Sequence, residues 1–91
     1  MIILPIKKKW FDMIKSGIKT EEYRELKPYY KSRFKEFEFN KLSVVKFRNG
    51  YAKDSPIISC VCSLILGLGK VEWGAPQCKC YILKIHQILY S

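Results

Sequence analysis

The sequence predicts a small α+β domain, in which about five strands curl into a mixed or largely antiparallel β-barrel accompanied by two helices. Its length of 91 residues suits one hydrophobic core, so we expect a single domain over residues 1–91. Two segments with helical spacing of apolar residues both lie in the first half of the chain. The later β-type segments have no helices between them, which argues against parallel crossovers and predicts the order β-α-β-α-β-β-β.

The first half of the chain is predicted to alternate strand and helix. Trp10, Met13 and Ile14 share one face of the first helix, and Gly17 is placed to end that helix in a left-handed turn. Pro28 suits the first turn of the second helix, in which aromatic residues recur at helical spacing. The predicted elements are a strand over residues 1–6, a helix over 8–16, a strand over 19–24 and a helix over 27–36.

The second half is predicted to contain three strands. Asn49–Gly50 is a strong turn signal after the first of them. Alternate residues of the next two strands are apolar, so each strand should bury one face. The predicted strands cover residues 42–48, 56–66 and 79–90. The residues expected to face the core are Ile58, Cys60, Cys62, Leu64 and Leu66 in the second strand, and Tyr81, Leu83, Ile85 and Leu89 in the third.

The charge of the chain is strongly basic and unevenly placed. Seventeen Lys and Arg against eight Asp and Glu give a net charge of +9. Residues 1–53 hold 14 basic and 6 acidic residues, a surplus of +8, which leaves +1 for residues 54–91. A concentrated positive field attracts polyanions, so RNA or a nucleotide is the expected partner. The alternative is that the lysines only keep a small protein soluble.

The sequence predicts a cytoplasmic protein that does not enter a membrane. Its apolar opening precedes three lysines, the reverse of a secretory signal, and its longest uncharged stretch, 55–69, is shorter than the ~20 residues of a membrane span. The cysteines form two C-x-C pairs, Cys60/Cys62 and Cys78/Cys80, whereas structural zinc usually takes C-x-x-C on a turn. We therefore expect buried free thiols, no metal and no cofactor, with a zinc site as the alternative.

Residues 17–24 carry a G-x-K-x-x-E-x-R pattern made by Gly17, Lys19, Glu22 and Arg24. Glu22 and Arg24 share a strand face, so they can pair with each other, or Arg24 can turn to a phosphate while Glu22 orients it. Lys19 and Arg24 would lie on opposite faces of a regular strand, so joint action on one ligand requires a bend or bulge. The alternative is an ordinary surface ion pair beside a solvated lysine.

This pattern, placed between an aromatic-rich helix and a strand, resembles the signature of the ASCH domain family within the PUA-like superfamily. Residues 4–14, 47–51 and 73–74 are also similar to its small phage-like and bacterial members. The resemblance implies a PUA-like barrel that binds RNA or nucleotides in a cleft beside the first helix. Some ASCH members cut single-stranded RNA, and others hydrolyse acetylated cytidine.

The resemblance to the hydrolase branch is incomplete. Lys19 matches the catalytic lysine of that branch, but the catalytic threonine is replaced by Glu22. The segment that carries the family's glutamate is shortened here to a brief loop, whose acidic residue is Glu72. Lys19 and Glu22 are therefore candidate catalytic residues only for an altered mechanism. His86 is the single histidine of the chain, which excludes a two-histidine ribonuclease.

Three hypotheses for function remain. The first is a non-catalytic RNA- or nucleotide-binding module, the second a small hydrolase acting on RNA or a modified nucleoside, and the third a phage-type accessory protein that contacts another protein. We expect a monomer or weak dimer. Aromatic residues beside basic ones suit base stacking with phosphate contacts. The candidate binding residues are Gly17, Lys19, Glu22, Tyr23, Arg24, Arg48, Tyr51 and Trp73.

Overall fold

The computed structural model describes residues 2–89, and its elements follow the predicted order. The small α+β class with five strands and two α-helices is therefore confirmed. Among these residues there is no helix long and apolar enough to cross a membrane. The elements are β1 (Ile2–Ile6), α1 (Lys8–Lys15), β2 (Glu21–Arg24), α2 (Pro28–Arg33), β3 (Leu42–Asn49), β4 (Ile57–Gly67), a 3₁₀ turn (Val71–Trp73) and β5 (Cys80–Leu89).

The five strands form one curled, mixed sheet with the order β1-β3-β4-β5-β2. β1 runs parallel to β3, and the other neighbouring pairs are antiparallel. The first two strands of the chain are therefore the two edges of the sheet. The curl brings these edges towards each other without backbone pairing between them, so the sheet is a half-barrel with an open side.

Two predicted elements are shorter by two or more residues in the structure, and two predicted strand ends, Met1 and Tyr90, lie outside the described residues. β2 begins at Glu21, because the preceding residues cover the end of α1, where the Lys19 amide donates to Met13 O at 3.0 Å. α2 ends at Arg33, three residues before the predicted end, since the chain continues as a hydrogen-bonded turn. Lys19 therefore precedes the strand on which it was predicted to lie.

The hydrophobic core lies on the concave side of the sheet and is closed by both helical segments. α1 buries Phe11 and Ile14, while Trp10 and Met13 are only half-buried, so the predicted apolar face is rotated. Phe34 and Phe37, after α2, are buried in the same core as predicted. Most of the remaining core comes from alternate residues of the central strands: Val45, Phe47, Ile58, Cys60, Cys62, Leu64 and Leu83.

A register shift between Val61 and Cys62 changes the alternation predicted for β5. Ile85 pairs with Cys62, but beyond the shift Ile88 pairs with Cys60 and packs against the core in place of Leu89. The predicted core position of Leu89 is therefore wrong, because a bulge displaces the side-chain pattern by one residue. Leu66, at the other end of β4, is also exposed, contrary to the prediction.

The cysteines are free thiols, three of them buried and Cys78 exposed. Burial raises the pKa of Cys60 to about 11 and that of Cys62 to about 12, which keeps both protonated at neutral pH. No group of three or more potential metal-ligating side chains occurs within residues 2–89. The buried thiols of Cys60 and Cys62 act as small apolar side chains in the core.

Gly69 allows the loop after β4 to pass directly over the ring of Tyr23. A Cβ atom at residue 69 would lie 2.3 Å from Cε1 of that ring, which is fixed because the hydroxyl donates to Glu21 at 2.7 Å and accepts from the Lys70 amide at 3.0 Å. We predict that Gly69→Ala lowers the free energy of unfolding by about 1–3 kcal/mol, measured by urea denaturation.

The matched control is Gly67→Ala, because a Cβ atom there makes an ordinary 3.5 Å contact with Ile82 Cδ1. Both substitutions remove backbone freedom from the unfolded chain, so the difference between them isolates the contact with Tyr23. Equal stability of the two variants would contradict the close approach of this loop.

Candidate functional site

A cleft of about 790 Å³ opens where the half-barrel fails to close, between the edge strands β1 and β2. Pro5 and Ile6 line it from β1, and Glu22 and Arg24 from β2. The helices and two loops contribute the remaining walls. Their side chains in the lining include Lys7, Trp10, Tyr29, Tyr30, Arg33, Tyr51 and Trp73.

The floor of the cleft is built on an ion triad, which we define as Lys19, Glu22 and Arg24. Lys19 Nζ lies 2.9 Å from Glu22 Oε1, and Arg24 Nη1 pairs with the other carboxylate oxygen. The side chains are 0%, 6% and 13% exposed, respectively. The bend before β2 thus brings together the three groups, which a regular strand would separate. The alternative of a surface ion pair beside a solvated lysine is wrong, because all three side chains are largely buried.

Arg24 also links the two edges of the sheet. Its Nη2 donates to Pro5 O of β1 at 2.9 Å, and its Nη1 donates to Tyr23 O at 2.9 Å in addition to Glu22. Arg33 acts similarly from α2, with Nη2 donating to Ile3 O at 3.0 Å. These bonds satisfy carbonyls on the free edge of β1, which would otherwise be available to a further strand. The two arginines therefore hold the open side of the half-barrel, which we call the seam, through side-chain hydrogen bonds instead of strand pairing.

Lys19 lies beneath the floor rather than in the cleft. Its ammonium donates to Glu21 O as well as pairing with Glu22, and it lies 4.8 Å and 5.3 Å from the ring centres of Tyr23 and Trp10. Burial lowers the pKa of Lys19 below its ordinary value, and the Glu22 carboxylate offsets part of that shift. A ligand in the cleft would therefore meet Glu22 before it could reach the lysine amine.

Aromatic rings form much of the cleft wall, and they differ in exposure. Tyr51 is 87% exposed at the turn after β3, whereas Trp10 and Trp73 are half-buried. Lysine ammonium groups lie 4.6 Å from the Trp10 ring centre and 4.3 Å from that of Trp73. Tyr23 contributes less open surface, because it is buried and its hydroxyl is engaged by protein groups. Flat ring faces beside cations suit a nucleobase with its phosphate.

The structure brings five of the eight predicted binding residues to the cleft lining: Glu22, Tyr23, Arg24, Tyr51 and Trp73. Lys19 supports the floor from below. Gly17, with φ of 85°, turns the chain at the end of α1, and neither it nor Arg48 is among the lining residues. Arg48 is half-buried on β3, where its Nε has no hydrogen-bond partner among the described residues.

The sequence analysis missed three lining residues whose side chains could contact a ligand, namely Lys7, Trp10 and Arg33. Trp10 was placed on the apolar face of the first helix, although the lysines around it were a signal that its ring lies at the border of that face. His86, by contrast, is not among the residues that line the cleft. Its Nε2 lies 2.8 Å from Ser63 Oγ, so it has an ordinary hydrogen-bonding partner, as expected.

Comparison with known proteins adds no relative to this description. No protein-family model, no curated protein and no solved structure matches the chain. The ASCH resemblance therefore remains a prediction that depends on the residues quoted for it. The cleft and the ion triad are properties of this chain itself.

The ion triad generates a stability prediction. Glu22→Gln leaves the two buried cations without their counter-charge, so we expect the free energy of unfolding at neutral pH to fall by about 3–5 kcal/mol. The pKa of Lys19 should then fall further below its ordinary value of 10.5, which the unfolded chain retains. Between these two pKa values the unfolded state binds more protons, so the stability of the variant should rise with pH.

Denaturation of the wild type and the Glu22→Gln variant at pH of about 7 and about 9.5 tests this prediction. The difference in free energy of unfolding between the two proteins should be smaller at the higher pH. Asp12→Asn is the control, since it removes the exposed Lys8–Asp12 pair and should cost less than about 0.5 kcal/mol. A Glu22→Gln variant as stable as the control would show that the triad does not hold the floor.

Proposed function

We propose that this chain is a PUA-like domain of the ASCH type that binds RNA or a nucleotide in the seam cleft. The observation that carries the proposal is the combination, in one cleft, of aromatic ring faces with cationic side chains. Any nucleobase offers a π-face for stacking, and any nucleotide brings a negative phosphate. The cleft is also large enough for a ligand of nucleotide size.

The charge outside the cleft supports a ligand with phosphates. Exposed lysines recur every four residues around α2, with Lys27 just before the helix, Lys31 within it and Lys35 just after it. Among the described residues, Lys27 forms an ion pair with Glu25, whereas Lys31 and Lys35 form none. One end of the cleft adds Lys7, which is exposed. Phosphates that leave the cleft would therefore meet uncompensated positive charge.

The positions of the candidate catalytic residues favour binding over catalysis. Lys19 is buried, and its ammonium is engaged by Glu22 and a backbone carbonyl. Glu72, the acidic residue of the shortened loop, is exposed and is not among the residues lining the cleft. A hydrolase needs its proton carriers within hydrogen-bond reach of the reacting atoms. We therefore propose a non-catalytic module, acting in the cytoplasm, where the free thiols stay reduced.

A small hydrolase acting on RNA or acetylcytidine is the second candidate, and one observation favours it. Lys19 is a buried lysine with a lowered pKa, paired with a carboxylate that lines the cleft. Such pairs occur where enzymes move protons, because burial brings the two protonation states closer in energy. In that case Glu22 would exchange the proton with the substrate, and Lys19 would act through it.

Binding to single-stranded RNA should depend on phosphate and on stacking in separable ways. We predict that the logarithm of the binding constant falls linearly with the logarithm of salt concentration, and that Lys7→Ala reduces the slope by about 0.7 to 1. Tyr51→Ala should weaken binding by about 1–3 kcal/mol and leave the slope unchanged. Fluorescence anisotropy of a labelled oligonucleotide over a salt series measures both quantities.

Lys41→Ala and Phe39→Ala are the matched controls, because both residues are exposed and neither lines the cleft. They should change affinity little. Affinity that is independent of salt, or controls that weaken binding as much as the cleft variants, would rule out the cleft as the binding site.

An assay for turnover distinguishes the non-catalytic binding module from the hydrolase. We predict that purified protein releases no product from labelled RNA or acetylcytidine, because the lysine amine does not reach the cleft. Chromatography of the reaction mixture measures this, with Glu22→Gln as the comparison protein. Product formed by the wild type, and abolished in a Glu22→Gln protein whose circular dichroism spectrum shows that it is folded, would establish the hydrolase instead.

A further inference from the structure

We propose that the cleft takes the nucleobase edge-first, with an N–H donor of the base bonded to Glu22 and the phosphate directed outward to Lys7 and Arg33. This inference rests on the proposed function and makes it specific. It assigns Glu22 as the residue that reads the base, and it defines the ligand class as a nucleotide with an unsubstituted N–H group on its pairing edge.

The carboxylate of Glu22 is a fixed hydrogen-bond acceptor. One of its oxygens lies 2.9 Å from the Lys19 ammonium, and the other pairs with Arg24, so two cations hold it in place. An ionised carboxylate has about four lone-pair positions, and these contacts use two of them. Glu22 lines the cleft although its side chain is only 6% exposed, and we assign the remaining acceptor positions to the ligand.

Most of the donors around Glu22 are already engaged by the protein. Lys19 donates to Glu21 O, Arg24 donates to two backbone carbonyls, and the Tyr23 hydroxyl donates to Glu21. A ligand donor placed at the floor can bond to the Glu22 carboxylate without displacing any of these bonds, whereas a ligand acceptor is restricted to the few N–H groups that they leave free on Arg24. The floor therefore favours a ligand that donates, as an amino or imino group of a base does.

The distribution of charge in the cleft determines where the phosphate of the ligand lies. A phosphate at the floor would face the negative Glu22 carboxylate in a largely buried setting, which is unfavourable. Lys7 and Arg33 also line the cleft and are exposed, so a phosphate can approach them from solvent. Glu25, the other carboxylate in the lining, is exposed and paired with Lys27 at 3.3 Å, so it does not compete with Glu22 as a buried acceptor.

The walls suit a base in this orientation. Trp10 from α1 and Tyr30 from α2 both line the cleft, and the Arg24 guanidinium lies 5.6 Å from the Tyr30 ring centre. A base that stacks on one of these walls can turn its edge towards the floor. The edge then determines which ligands are accepted, because a buried acceptor is left unpaired when the donor is missing.

The experiment modifies the ligand and keeps the protein intact, since Glu22 also supports the fold. Binding of uridine and adenosine monophosphates is measured by calorimetry and compared with their N3-methyl and N6,N6-dimethyl forms, in which methyl groups replace the donor hydrogens. The controls are the 5-methyl and 2-methyl forms, respectively, which add a methyl group to carbon. We expect the N-methylated forms to bind roughly tenfold or more weakly, with the controls close to the parent nucleotides.

The outcomes separate the inference from the function on which it rests. If a parent nucleotide binds and its N-methylated form binds equally well, the assignment of Glu22 as the base reader is overturned, while the cleft remains a nucleotide site. If the carbon-methylated controls lose as much affinity as the N-methylated forms, added bulk explains the effect and the assignment also fails. If neither a mononucleotide nor single-stranded RNA binds, the proposed function itself is refuted.

Discussion

Burying a lysine, a glutamate and an arginine together is costly unless each charge meets an opposite one, because every ion loses its hydration. In this protein Glu22 meets that requirement for two cations at once, with Lys19 below it and Arg24 beside it. The same arginine reaches Pro5 O on the opposite edge of the sheet. The ion triad therefore fixes both the floor of the cleft and the distance between its two sides.

The open seam follows from this arrangement. A sheet that closes fully removes its edges, whereas here β1 and β2 remain apart and arginine side chains satisfy carbonyls of β1. The space between them becomes a cleft with a buried acceptor, aromatic walls and exposed cations. Under the proposed function, ring faces would stack the base, the carboxylate would select its edge and the cations would attract its phosphate.

Much of the site was predictable as residue types but not as geometry. The G-x-K-x-x-E-x-R pattern identified the three members of the triad, and the search for aromatic residues suited to base stacking identified Tyr51 and Trp73. The pattern did not show that Lys19 would be buried, because its burial depends on α1 packing across the segment before β2. Arg33 was missed for a similar reason, since its partner Ile3 O lies thirty residues away in the chain.

The sequence by itself determined the order of the elements and the class of the fold, because apolar periodicity, Pro28 and the Asn49–Gly50 turn act over a few neighbouring residues. Only the tertiary structure decided which strands became edges, where the bulge at Val61 and Cys62 shifted the alternation, and which charges were buried. These features arise from contacts between distant segments, where packing and desolvation outweigh local preference. The cleft belongs to this second group, because it exists only where two edge strands face each other and an arginine spans the gap.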